Sequence, residues 1–339
     1  MGNTTSMVWP VAAGIALGLV LYACAPTPNP AEPIPAASSS SSPSPSATPP
    51  SDSPSPSPSA SQPASPTPSV VTSPSPSGTG TSPASPSSAA GTVRPTGGSG
   101  TSTTLQAGTN RNQAAGAYAY RAADVQRWIQ TPGKGPQPAE KVVFLTFDDG
   151  PTSMTPRTLD ALKAAGVHAT FFVIGSQVKG HEATLQRAIA EGHAVAIHTF
   201  GHNYGYLYPG RTGNASRITA DRDKAVAAVR QVLGAGYESA AYRYPGGHMS
   251  WKGLGPADAA LAKQGVSWID WNAMTGDAEP AARRPGTVAT MVAMASPPKG
   301  ARVSVVLAHD TPDKALTLQS IPEIVKAYKA AGFTFGVIG

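Results

Sequence analysis

Through the C-terminal two thirds of the chain, short apolar blocks alternate with segments of helical periodicity. Blocks at 142–147, 169–174, 194–198, 240–244, 266–271, 303–309 and 333–338 are rich in β-branched and aromatic residues, and they predict strands covered on both faces. Between them the spacing predicts helices over 157–165, 183–191, 216–233, 256–263, 287–294 and 320–330, the first two closed by Gly166 and Gly192. A short lead-in helix is expected over 122–130, before the Pro/Gly-rich 131–138. Seven strands alternating with helices in about 200 residues imply an α/β fold, a distorted (β/α)7 barrel that is closed or nearly so. A doubly wound open sheet is the competing topology, but no Gly-x-Gly-x-x-Gly loop follows any strand.

Upstream, the pattern stops. From Ala25 to Val93 there is no Lys, Arg or aromatic residue, only Glu32 and Asp52 carry charge, and Ser, Pro, Thr and Ala fill most other positions. Such a stretch cannot bury enough apolar surface to offset its conformational entropy, so residues 25–115 read as a disordered Pro/Ser/Thr-rich tether and 116–339 as one catalytic domain. The first 24 residues hold an apolar run from Met7 to Ala23, and Leu21-Tyr22-Ala23-Cys24 resembles a bacterial lipobox, with Cys24 as the lipidated residue. The alternative is an uncleaved signal anchor. Both place the rest of the chain outside the cytoplasm, fixed to the outer face of the membrane.

The net charge of +6 sits almost wholly in the globular part, with no Lys/Arg run and no aromatic interleaving, which argues against a nucleic-acid partner. With one cysteine there is neither an intramolecular disulfide nor a multi-cysteine metal site. A monomer is expected.

The carboxyl ends of parallel barrel strands share one rim, so residues distant in sequence converge there. The first strand ends in Asp148-Asp149, whose side chains point to opposite sides and so suit different tasks; a solvated strand-end pair is the plainer reading. The third ends in His198-Thr199-Phe200-Gly201-His202, a spacing at which two imidazoles and one aspartate can hold a metal with positions left for water. Arg243-Tyr244 ends the fourth, Asp277 follows the fifth, and His309-Asp310 ends the sixth. Singly, a rim salt bridge for Arg243, a turn role for Asp277 and barrel packing for Leu307 are the ordinary readings. His168 and His193, at strand entries, read as core or surface residues.

Taken together, these segments resemble the polysaccharide deacetylase family, carbohydrate esterase family four, over about 142–339. Thr146-Phe147-Asp148-Asp149-Gly150-Pro151 resembles its first motif, implying Asp148 as catalytic base and Asp149 as metal ligand. The second implies His198 and His202 as further ligands, usually of zinc. Arg243-Tyr244-Pro245-Gly246 resembles the third, implying that Arg243 pairs with the base and that the Tyr244 N–H helps hold the oxyanion. The fourth is altered: Trp271-Asn272-Ala273-Met274-Thr275-Gly276-Asp277-Ala278 keeps only its second aspartate, leaving Asp277 to orient His309 and Trp271 or Trp268 to wall the pocket. The fifth implies His309 as general acid and Leu307 in the acetyl-methyl pocket.

This resemblance implies metal-dependent N-deacetylation of a wall polysaccharide, most simply peptidoglycan N-acetylglucosamine, because the anchor and tether keep the domain at the cell's own wall. An O-acetyl esterase or chitooligosaccharide deacetylase is the enzymatic alternative, and an inert wall-binding module the alternative of another class. Tyr204, Tyr206, Tyr208 and Trp251, on loops after strand ends, are candidates for sugar stacking or for plain loop packing.

Overall fold

The computed structural model describes residues 103–339. Cys24, the leader over 1–24 and the tether from 25 to 102 lie outside the described residues. The domain is built around β2 (Lys141–Asp148), in which every residue after Lys141 is buried. Alternate side chains therefore meet two apolar layers. Val142 and Phe144 pack inside the barrel with Phe172, Ala196, Ile269 and Val305, while Val143, Leu145 and Phe147 pack outside it among residues of the surrounding helices. Two elements precede this strand, β1 (Ala119–Tyr120) and α1 (Ala122–Gln130), and α1 brings Val125 and Trp128 into the interior layer beside Val142 and Val303, the first apolar residues of their strands.

After β2 come α2 (Thr155–Ala165), β3 (Thr170–Ile174), α3 (Glu182–Ala190), β4 (Ala194–Thr199), the one-turn α4 (Tyr204–Leu207) and α5 (Ala215–Leu233). The chain continues through β5 (Ala241–Tyr242), α6 (Gly255–Lys263), β6 (Ser267–Trp268), β7 (Ala273–Met274), α7 (Val288–Ala295), β8 (Val303–His309), α8 (Ala315–Ala330), β9 (Phe333–Phe335) and β10 (Val337–Ile338). Local chemistry fixes several ends. Gly166 takes the left-handed conformation that stops α2, the Asn214 side chain accepts from the Arg217 N–H to start α5, and Thr287 and Thr290 cap α7 reciprocally.

The strands run parallel in the order β6-β5-β4-β3-β2-β8-β7, a curled half-barrel wrapped by helices and open between β6 and β7. The seventh strand differs from the sequence expectation. It is the two-residue β7, paired with β8 at Val306 and Leu307, whereas the block 333–338 divides into β9 along the start of β2 and β10 beside β1. The division falls at Gly336, which donates its N–H to Val143 O and comes so close to Phe144 and Tyr120 that a Cβ there would lie 2.9 Å from their rings.

A second correction concerns the domain start, expected at residue 116. Leu105 already bridges to Asn112 and Thr109 to Tyr237; Asn110 donates to Ile338 O and Asn112 to Ile189 O. These polar residues are buried because each satisfies a backbone acceptor that composition does not reveal. Among the described residues no helix is long and apolar enough to cross a membrane.

Candidate metal and proton-transfer site

Strand register brings the chemistry together. Asp148 is paired with His309 across β2 and β8 and with Phe172 across β2 and β3, so the two residues expected to move protons stand at the same level of the rim. Asp149 follows in the left-handed region at φ 70°, and His202 does so at φ 49°. Of the three non-glycine residues with positive φ among the described residues, two are thus expected metal donors, and such backbone strain concentrates at functional sites.

Asp149, His198 and His202 offer one ligand atom each, all within 4.8 Å of one another. His198 Nδ1 is 2.8 Å from Arg243 O and donates to it, leaving Nε2 unprotonated toward Asp149. Burial, reinforced by the nearby His202, pushes the His198 imidazolium down to about 3, so the ring is neutral, as a ligand must be. Asp149 Oδ1 is buried without a hydrogen-bond partner and lies 3.6 Å from His198 Nε2 and 3.4 Å from His202 Nε2. Donors sharing a tetrahedral ion at bonds of about 2.0–2.2 Å are about 3.3–3.6 Å apart, so this set fits a divalent metal.

The loop carrying the two histidines is held by a residue that sequence reading passed over. Asp221 of α5 accepts from the Phe200 N–H at 2.6 Å and the Gly201 N–H at 3.3 Å, and Thr199 Oγ1 accepts from the His202 N–H. In sequence Asp221 is only an acidic residue early in a helix, with no signal that its partners lie some twenty residues upstream.

Asp148 faces the other way, into the barrel. Its Oδ1 accepts from Arg243 Nη1 at 2.7 Å, while Oδ2 stands 3.9 Å from His198 Nε2. Arg243 is fully buried and committed throughout: Nη1 also donates to Thr146 Oγ1 and Nε to Ile269 O, and its guanidinium lies 4.0 Å over the Phe172 ring. The ion pair that Arg243 makes with Asp148 is therefore buried and not solvent-exposed.

Opposite, His309 Nδ1 meets Asp277 Oδ1 at 2.8 Å, and Asp277 Oδ2 accepts from the His309 N–H and from Thr317 Oγ1. Burial alone would lower His309, but the Asp277 carboxylate overrides it, and with Asp149 and Asp148 nearby the imidazolium rises to about 10. Burial would likewise raise Asp277, yet the His309 charge and these hydrogen bonds hold it below the usual carboxylate range. His309 Nε2 points toward the metal donors, 3.9 Å from Asp149 Oδ2.

The remaining expected residues surround this centre. Tyr244 turns its side chain into the core, where its hydroxyl donates to Asp258, and its backbone N–H donates to no protein atom among the described residues. Leu307 is buried one step beyond Val305 on the same face of β8, yet belongs to neither large apolar cluster. The Trp271 ring lies 5.7 Å from the Arg243 guanidinium. Asp310, though adjacent to His309, is structural: buried, it accepts from Thr155, and Gly150 passes so near that a Cβ would meet its Oδ1 at 2.7 Å.

Comparison with known proteins agrees with this arrangement. Residues 135–256 match the polysaccharide deacetylase family. The Bacillus subtilis protein named "Putative polysaccharide deacetylase YheN" is 31% identical over 204 residues, 59% of this chain and 67% of that protein. A peptidoglycan-N-acetylglucosamine deacetylase of Bacillus cereus is 47% identical over 68 residues, which are 20% of this chain and 25% of that protein. The solved structure of a CE4 esterase of Streptococcus mutans superposes with a TM-score of 0.66 at 44% identity, covering 70% of this chain and 99% of that one. The chain thus belongs to the polysaccharide deacetylase family, carbohydrate esterase family 4, and is a hydrolase of that family.

Proposed function

We propose that this enzyme removes the acetyl group from N-acetylglucosamine units of peptidoglycan, with a zinc ion held by Asp149, His198 and His202. The observation that carries the reading is the placement of the three-donor cluster Asp149, His198 and His202 between two oppositely equipped pairs, Asp148 with Arg243 and His309 with Asp277. The bound ion would supply Lewis acidity, polarising the acetyl carbonyl and acidifying water at the site.

The chain's own groups do the rest. Arg243 fixes Asp148 through Oδ1 and leaves Oδ2 on the donor side, where it takes a proton from the attacking water as the new C–O bond forms. The free Tyr244 N–H is available to the developing oxyanion, and Leu307 offers an apolar seat for the methyl group. His309, kept as imidazolium by Asp277, gives its Nε2 proton to the sugar nitrogen as the C–N bond breaks. Acetate and a free amine leave. All of the groups this requires are present, which counts against an inert wall-binding module.

Peptidoglycan is favoured by the Bacillus cereus relative, named for that activity. An O-acetyl esterase is the second reading, favoured by the Streptococcus mutans neighbour, described as an esterase. Acetate release by the purified protein from peptidoglycan, chitooligosaccharides and acetylxylan separates them: amine formation on peptidoglycan supports the proposal, and activity confined to acetylxylan overturns it. On the sequence of residues 1–24 we place the enzyme outside the cytoplasm, lipidated at Cys24. Mass spectrometry of the mature N-terminus checks this, and a chain that still begins before Cys24 selects the signal anchor.

A further inference from the structure

We propose that Asp258 is a positioning residue for the reaction, holding in place the Tyr244 backbone N–H that the mechanism offers to the oxyanion; this rests on the reading of the site as that of an amide-hydrolysing deacetylase. The chain after Arg243 is loosely specified by its sequence. Pro245 is followed by Gly246 and Gly247 at φ 76° and 82°, and two successive glycines leave a loop many alternatives. Asp258, in the first turn of α6, removes them. Its Oδ1 accepts from the Tyr244 hydroxyl at 2.8 Å and its Oδ2 lies 2.9 Å from His248 Nε2, so one carboxylate ties both ends of the turn. The support is itself firm, because Ala257 and Leu261 of α6 are buried in the outer apolar layer.

The brace acts on the peptide group between Arg243 and Tyr244. Its carbonyl end is already fixed: Arg243 O accepts from His198 Nδ1, and the Arg243 side chain is bound to Asp148 and Ile269 O. A trans peptide is planar, so the Tyr244 N–H keeps its direction only if the Tyr244 end is fixed as well. Backbone bonds do little there. The N–H donates to no protein atom among the described residues, and the Tyr244 carbonyl accepts from Gly247 of the same turn.

The side chain takes over that task. The Tyr244 ring is fully buried, edge-on to Tyr242 at 5.0 Å and to His248 at 5.5 Å, and its hydroxyl ends on Asp258. Burial first, and then the Asp258 charge, raise the phenol well above its ordinary 10, so the hydroxyl is always the donor in this pair. His248 closes the far side of the turn, where its backbone N–H donates to Asp270 Oδ1 at 2.9 Å. A second hydrolytic centre is not what His248 and Asp258 form: the loop's one serine, Ser250, donates its hydroxyl to Gly246 O.

Steady-state kinetics of acetate release from peptidoglycan and from an N-acetylglucosamine hexamer test this with Tyr244→Phe, Asp258→Ala and Asp258→Asn. Tyr244→Phe keeps the ring and the N–H and deletes only the hydroxyl. It and Asp258→Ala should each lower kcat about 10–100-fold, toward the roughly 10²–10³ of losing an oxyanion donor outright. KM should stay within about twofold, because the donor matters only in the transition state. Metal content and both limbs of the pH profile should not move, since the metal donors, Asp148 and His309 are untouched. Asp258→Asn should recover most of the rate: its Oδ1 still accepts from Tyr244, and its Nδ2 can donate to His248 Nε2 with the imidazole proton on Nδ1. Wild-type kcat in Tyr244→Phe, a loss carried by KM or by metal content, or Asp258→Asn as slow as Asp258→Ala overturns the proposal. Hydrogen exchange read by mass spectrometry follows the brace without turnover. Peptides over 244–251 should exchange about tenfold faster in Tyr244→Phe, and unchanged exchange overturns the proposal even if the rate falls. Should circular dichroism show Asp258→Ala unfolded, Tyr244→Phe decides alone. A wild type that releases no acetate refutes the proposed function instead, and exchange then decides whether Asp258 braces the loop.

Discussion

Asp277→Asn probes the acid half of the site with almost no change of shape. Asp277 is buried and accepts from three donors, His309 Nδ1, the His309 N–H and Thr317 Oγ1, at 2.8, 2.9 and 2.8 Å. An amide has one acceptor oxygen for the three. If that oxygen serves the backbone, the NH2 group faces Nδ1 and the ring must give up its proton there. If it serves Nδ1, the backbone N–H faces another donor, and leaving a buried polar group unpaired costs about 1–3 kcal/mol. The charge matters more. The carboxylate holds His309 at about 10 against an ordinary 6.5, in spite of burial, so its removal should lower the imidazolium by about three units or more. A general acid works protonated, and the rate falls as pH rises through its pKa. The alkaline limb of the acetate-release profile should therefore move from the region of pH 10 to below neutrality, and turnover near pH 8 should drop roughly 10²–10⁴-fold. An alkaline limb that stays where the wild type has it, in a variant that still folds, would refute Asp277 and His309 as the acid pair.

Three further outcomes follow from the geometry. Arg243→Met leaves Asp148 buried without its partner and should lower unfolding free energy by about 3–5 kcal/mol in denaturant titration; a loss well below that would mean the pair is relaxed in solution. Asp221→Ala frees the Phe200 and Gly201 N–H groups and should weaken metal binding about 10–100-fold in chelator competition, whereas unchanged affinity would reduce Asp221 to a helix residue. His193 is buried, accepts from the Ala169 N–H, and is pushed by burial from 6.5 down to about 3. The unfolded chain takes up this proton first, so the stability present above pH 6.5 should drain as pH falls toward about 3, by roughly 4 kcal/mol. Melting temperatures across that range should fall less for a folded His193→Gln variant, and parallel curves would contradict the assignment.

The parts of this fold that the sequence made legible are those in which one residue type repeats at one period. Strands β2, β3, β4 and β8 are apolar on both faces, and α2, α5 and α7 carry their own stop and start signals at Gly166, Asn214 and Thr287, so these elements stand within a residue or two of expectation, whereas α8 begins at Ala315, five residues before the expected 320. Strand β7 was not legible: two residues carry no period, and its place is set by pairing with β8. Gly336 divides an apolar block that reads as one strand, because the contact with Phe144 and Tyr120 that requires a glycine there is tertiary. Within the site, Asp148, Asp149, His198, His202, Arg243, Asp277 and His309 were visible through their spacing and strand-end positions. Asp221, Thr317 and the pairing of Asp258 with His248 were not, since each acts through a partner that only folding supplies.

In the proposed mechanism two adjacent aspartates divide the work, Asp149 holding the metal and Asp148 moving the proton. Metal content and acetate release measured side by side for Asp148→Asn and Asp149→Asn test it most directly. Asp148→Asn should retain bound metal while turnover falls by at least about 10²-fold, and Asp149→Asn should lose metal and turnover together. Loss of metal from the Asp148 variant with retention in the Asp149 variant, or full turnover by metal-stripped wild type, would contradict it.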